Sequence, residues 1–146
     1  MPAGSTFANE LALHLAQNAT LPLIGDATGL LGAATVGSLY WSLHTADPGN
    51  SGNQTTSEAA YTGYARVSAA RSSAGLTVAA NVISNTLALL FPQSSSGPES
   101  ETYVMLGTAS TGTGKQIGRG ALSQTLVVNN LIAPNIAIGA ATVTIT

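Results

Sequence analysis

Short apolar runs that alternate with polar residues, each closed by turn chemistry, dominate the chain and predict strands. The clearest is Leu39, Trp41 and Leu43 alternating with Tyr40, Ser42 and His44, the period-2 pattern of a strand with one face in a core and one facing out. Asp47-Pro48-Gly49 ends it, because proline lacks a ladder donor and glycine tolerates positive φ. Asn50, Ser51, Gly52 and Asn53 prolong the loop before a second strand around Tyr64 to Val67. Leu76 and Val78 lead to a turn near Asn81, Val82 and Ile83 resume, and Leu87, Leu89 and Phe91 form another alternating face that Pro92 stops. Residues 93–100 read as a polar loop, and Tyr103 to Leu106 and Ala121 to Val128 as two more strands. Ala141, Val143 and Ile145 alternate with Thr142, Thr144 and Thr146, as expected of a strand with one wet face.

Two segments depart from this pattern. Phe7, Leu11 and Leu15 fall at i, i+4 and i+8, which predicts a short amphipathic helix over about residues 6–18 with Ser5 or Thr6 as its cap. From Leu21 to Gly37 the glycines at 25, 29, 32 and 37 argue for irregular structure, with Gly25-Asp26 as a turn. No internal repeat is visible, which sets solenoids and propellers aside. The fold class expected is all-β: a single antiparallel β-sandwich over residues 21–146, preceded by an N-terminal helical arm over residues 1–20.

Composition changes the picture in one respect. Only 7% of the 146 residues are charged, against about 25% in ordinary soluble domains. Surface polarity must come from Ser, Thr, Asn, Gln and Gly, which cost little to desolvate when another protein covers them. Such a surface suits assembly, because charge is depleted at the centres of lasting interfaces. Cysteine is absent, so disulfides and thiolate chemistry are excluded. A net charge of −2, with Arg66, Arg71, Lys115 and Arg119 forming no run, argues against nucleic acid as a partner. No apolar stretch is long enough for a membrane span and the start lacks a basic signal region, so a soluble, unsecreted chain is expected.

Candidate chemistry is weak throughout. Ala109 to Gln116, ASTGTGKQ, approaches a phosphate-binding loop, but Gln116 stands where a hydroxyl must hold Mg²⁺, and Gly118 and Gly120 lie where a helix must begin. Gly112 and Gly114 are read instead as hairpin-turn glycines. His44 and Asp47 are too few for a metal site and are expected to serve a strand end and a turn. Glu58, Glu99 and Glu101 lack the aromatic platforms of a sugar cleft, and no G-x-S-x-G elbow occurs. No catalytic residue, cofactor or metal is expected, and Trp41 is read as a core anchor. The candidate protein-contact residues are the helix stripe Phe7, Leu11 and Leu15, the loop residues Asp47, Asn50, Asn53 and Ser57, and Tyr61 and Tyr64, expected to be exposed beside Gly63.

The run SLYWSLHTADPGNSGNQTTSEAAYTGYARV, then SNTLALLFPQ, YVMLGTASTGTGK and GALSQTLVVNNLIAPNIAIGAATVTIT, resembles a family of small structural proteins of tailed bacteriophages and prophages. LHTADPG at 43–49, GYAR at 63–66 and GAL at 120–122 are its most specific parts, and the likeness runs from about Gly25 onward. Within that group the chain is similar to capsid cement, or decoration, proteins. The resemblance implies a jelly-roll-like β-sandwich on the outer capsid surface of the virion, present in the host cytoplasm before assembly, with the major capsid protein and further copies of itself, a dimer being favoured, as partners. A tail-fibre-associated or minor tail structural protein is the alternative it implies.

Overall fold

Alternation along the chain becomes nine strands and one helix among the described residues, 2–146, of the computed structural model. In chain order they are α1 (Ser5–Gln17), β1 (Ser38–His44), β2 (Val67–Ala70), β3 (Leu76–Ala79), β4 (Val82–Asn85), β5 (Leu89–Leu90), β6 (Glu99–Gly107), β7 (Gln116–Val128), β8 (Asn135–Ile136) and β9 (Thr142–Thr144). All pairings are antiparallel. A four-stranded sheet runs β2-β1-β6-β7, a three-stranded sheet β3-β4-β9, and β5 pairs with β8. Leu39, Trp41, Leu43 and Leu106 from the first sheet meet Leu76, Ile83 and Val143 from the second in one buried cluster. This is the all-β sandwich with a short helix that the alternation predicts, and Trp41 is the fully buried anchor expected.

The outer face of β1 is not wet. Ser42 and His44 are as fully buried as Trp41 and Leu43, because residues 45–58 fold back over that face. The return is stitched by Thr45 N–H to Ser57 O at 2.8 Å, Ala59 N–H to Leu43 O at 2.9 Å, and a bridge between His44 and Glu58. The second strand begins at Val67, later than expected. Residues before it turn instead, with Gly63 at φ +100° and Tyr64 N–H bonded to Tyr61 O at 3.0 Å. β5 holds only two residues, and Leu87 is exposed. β7 is longer than expected, beginning at Gln116, and forms one edge of its sheet. Its register against β6 breaks twice: Leu122, Ser123, Gln124 and Thr125 stand opposite Thr102 alone, and Ile117 is extra between the pairs Leu106–Gly118 and Gly107–Gln116.

The helix forms where its stripe predicts, but buries a different face. Ala8, Ala12 and Ala16 are buried, whereas Phe7 is 41% exposed and Leu11 and Leu15 are half-buried. Small side chains let the α1 backbone approach β3 and β4 closely enough for Gln17 Nε2 to donate to Leu76 O at 2.9 Å. Gly4 occupies the N-cap, so neither Ser5 nor Thr6 caps the helix. At the other end Arg71 donates to His14 O at 2.7 Å and Leu15 O at 2.8 Å, satisfying carbonyls the helix leaves open. Residues 21–37 contain no helix or strand, as their glycines predict.

One side chain locks the covering loop to the sheet. Gln54 is fully buried, with Oε1 accepting from Ala109 N–H at 2.9 Å and the backbone N–H of the same residue donating to Gly114 O at 3.2 Å. It lies against Gly107 and Gly114, and a Cβ at either would overlap the Gln54 amide. Gly107→Ala is expected to lower stability by about 1–3 kcal/mol, the ordinary cost of overpacking. Adding Gln54→Ala should recover part of that loss, and chemical denaturation of the single and double variants checks both.

Candidate functional site

The residues most specific to the chain converge beside the covering loop. Arg66 Nε and Nη2 reach Glu58 Oε1 and Oε2 at 2.6 and 2.8 Å, a bidentate pair whose side chains are 3% and 15% exposed. The rest of the guanidinium holds the β6–β7 hairpin: Nη1 donates to Ala109 O at 2.9 Å and Nη2 to Gly112 O at 2.7 Å. Tyr64 O–H donates to Glu58 Oε1 at 3.1 Å and accepts from Leu43 N–H at 3.1 Å. Burial, with the Glu58 charge nearby, pushes the Tyr64 phenol far above its ordinary range, and the Glu58 bond raises Arg66 further. The planar fork of arginine suits this task, since lysine could not bond a carboxylate twice and two carbonyls at once.

His44 is held neutral. Burial, the largest cause, lowers its pKa from 6.5. Nδ1–H donates to Thr56 O at 2.8 Å, which leaves Nε2 to accept from the Ser42 hydroxyl at 2.8 Å. A serine bonded to a histidine has the form of an activated nucleophile. Here both side chains are fully buried beneath residues 45–58, so the pair ties the loop to β1 and offers no surface to a substrate. Asp47 lies apart, accepting from Gly49 N–H at 2.9 Å in a turn and pairing with Arg119.

Two acids, Glu99 and Glu101, sit on β6. Glu99 accepts from Ala60 N–H at 3.0 Å and Tyr61 N–H at 2.7 Å. Glu101 is fully buried and neither of its oxygens meets an N–H or O–H donor. Burial first, and then the neighbouring Glu99 charge, push its pKa up to about 8. Glu101 is therefore largely protonated at neutral pH. Tyr61 shares this pocket, its phenol pushed up to about 12 chiefly by burial and bonded to Pro92 O at 3.0 Å.

Of the predicted contact residues, the structure leaves some on the surface and takes others inside. Asp47, Asn50 and Ser57 are exposed on the covering loop, with Asn50 Oδ1 accepting from Arg119 Nη1 at 3.0 Å. Asn53 is half-buried, its Oδ1 capping Thr55 N–H at 2.9 Å. The tyrosines are not the exposed pair expected. Tyr61 is buried, and Tyr64 stacks on Phe91 with ring centroids 6.3 Å apart while meeting Tyr61 edge-on at 5.3 Å. The helix stripe presents Phe7 to solvent on another part of the molecule. Sequence reasoning missed the exposed aliphatics Leu23, Ile24, Leu30 and Leu31 before β1, and Leu131, Ile132 and Ile138 near β8. Their signal was present: apolar residues without alternation among glycines and turn formers, where no strand could bury them.

Comparison with known proteins adds one match. Residues 24–144, which contain every strand, match the model of a family described as Podophage GP4 fiber I protein gp80. No curated protein matches the chain.

Three outcomes follow from the buried ionisable groups. Arg66→Ala strands Glu58 and should cost about 3–5 kcal/mol, the range for breaking a buried pair, read by denaturant unfolding. The Glu101 carboxyl has a folded pKa above its ordinary 4.5, so its contribution is fully present below that value and is lost as pH rises to about 8. His44 has the opposite sign: its folded pKa is depressed, so its contribution is present above 6.5 and is lost as pH falls below it. Glu101→Gln should flatten the fall in stability between pH 4.5 and about 8 and raise Tm at pH 8 by several degrees, at roughly 2–4 °C per kcal/mol for a chain of this size. His44→Gln should flatten the acid slope alone, and thermal melts across the pH series separate the two.

Proposed function

Because this chain belongs to the podophage GP4 fiber I protein gp80 family and is a bacteriophage virion structural protein, we propose that it works as a fibre-associated component of the particle. The observation that carries this reading is the match itself, which spans the whole sandwich and is described as a fibre protein. The fold is compatible with such work. Its longest loop is tied down by Gln54, His44 and the Glu58–Arg66 pair, so the body can bear load without a mobile surface. An exterior of neutral polar groups and scattered aliphatics, on a chain with 7% charged residues, is inexpensive to bury against neighbours.

The cement role implied by the sequence resemblance shares that surface chemistry and places the same protein on the outer capsid, gripping major capsid subunits. Location and copy number separate the two roles. Antibody labelling of intact particles, with quantitative mass spectrometry of the purified virion, should show few copies confined to the tail region. Many copies spread over the head would overturn the fibre reading in favour of capsid decoration.

A further inference from the structure

The four cations and six acids of the chain are few enough to account for one by one. Arg66 pairs with Glu58 and Arg119 with Asp47, the two ion pairs among the described residues. The other two cations, Arg71 and Lys115, line one open groove of about 680 Å³ between the C-terminal half of α1, residues 35–37 and the starts of β1 and β7. Its apolar walls include Leu15, Val36 and Ile117, and no carboxylate lines it. Arg71 bonds only the carbonyls of His14, Leu15 and Val36, so no carboxylate offsets its charge. The size suits a bound segment, and walls of a single charge sign concentrate the field within the groove.

The acids leave one counterpart. Asp47 and Glu58 are paired, Glu99 is occupied by backbone amides, Glu101 is buried, and Glu10 is half-buried on α1. Asp26 is exposed at the tip of an aliphatic loop in which Leu23, Ile24, Leu30 and Leu31 are 80%, 44%, 49% and 64% exposed. The loop is built in advance. Leu21 and Leu30 exchange backbone bonds at 2.9 and 2.8 Å, and Asp26 Oδ1 accepts from Thr28 N–H at 2.8 Å. A projecting, ordered tip that carries aliphatics around a carboxylate is the chemical complement of the groove.

We propose that the Leu21–Leu31 loop of one copy docks in the groove of a second copy, its aliphatic side chains covering Leu15, Val36 and Ile117, and Asp26 facing Lys115 and Arg71. Aliphatic burial supplies the affinity, since an exposed ion pair adds little, and the charges set the register. Pre-ordering of the loop lowers the cost of binding. Because the two patches differ, the contact is either exchanged reciprocally between two copies or repeated head-to-tail into a ring or a fibre. It follows from the chain's own surface, whichever part of the particle the protein occupies.

Sedimentation velocity of the full chain across a concentration series tests this, with each variant's fold checked by circular dichroism. The wild type should self-associate, and Asp26→Lys and Lys115→Glu should each weaken association roughly tenfold or more by placing like charges together. The double variant carrying both changes should regain it. A wild type that stays monomeric, reversals without effect, or a double variant that fails to reassociate would overturn the proposal. So would a monomeric wild type whose virion attachment is lost in Lys115→Glu, which assigns the groove to another virion protein.

Discussion

The Glu58–Arg66 pair is the constraint on which the rest of the structure depends. A single guanidinium with little exposed surface joins the covering loop through Glu58, the approach to β2 through its own backbone, and the β6–β7 hairpin through Ala109 O and Gly112 O. Tyr64 adds β1 to the same knot by accepting from Leu43 N–H. Removing two charges from water is costly, and only complete bonding of both partners offsets that cost. The covering loop and the β6–β7 hairpin tied here are rich in Gly, Ser, Thr and Asn. The pair converts loops that would wander into fixed parts of the body.

Much of the fold was legible because burial imposes a period. The alternation of Leu39, Trp41 and Leu43 located β1, and that of Ala141, Val143 and Ile145 located β9. Turn chemistry near Asn81 separated β3 from β4, and Gly112 and Gly114 fell in the β6–β7 hairpin. What escaped was long-range. Ser42 and His44 read as solvent-facing because a polar residue buried under a distant loop looks the same in sequence as one in water. The helix misled for a related reason: Phe7, Leu11 and Leu15 are the larger apolar residues, but close approach to β3 and β4 selects the smaller alanine face.

The contact surface was harder to read than the fold. Tyr61 and Tyr64 attracted attention as aromatics beside a glycine, yet Gly63 turns the chain so that both rings enter the core region with Phe91. The exposed aliphatics of residues 21–31 carry no periodic signature, and only the tertiary fold distinguishes an unburied leucine from a buried one. Scarcity of charge, by contrast, was visible at once. It also makes each remaining ion informative, since four cations can be traced individually to a role or to none.

That scarcity bears on β7. A strand at the rim of a sheet carries unsatisfied amides and carbonyls, and many proteins shield such a rim with lysines. This chain has one lysine, placed just before β7. The swelling of Leu122 to Thr125 against Thr102 and the extra Ile117 supply another safeguard, since a strand that twice loses step cannot present a straight template. The rim is thereby made a poor template for edge-to-edge pairing by geometry in place of electrostatic repulsion.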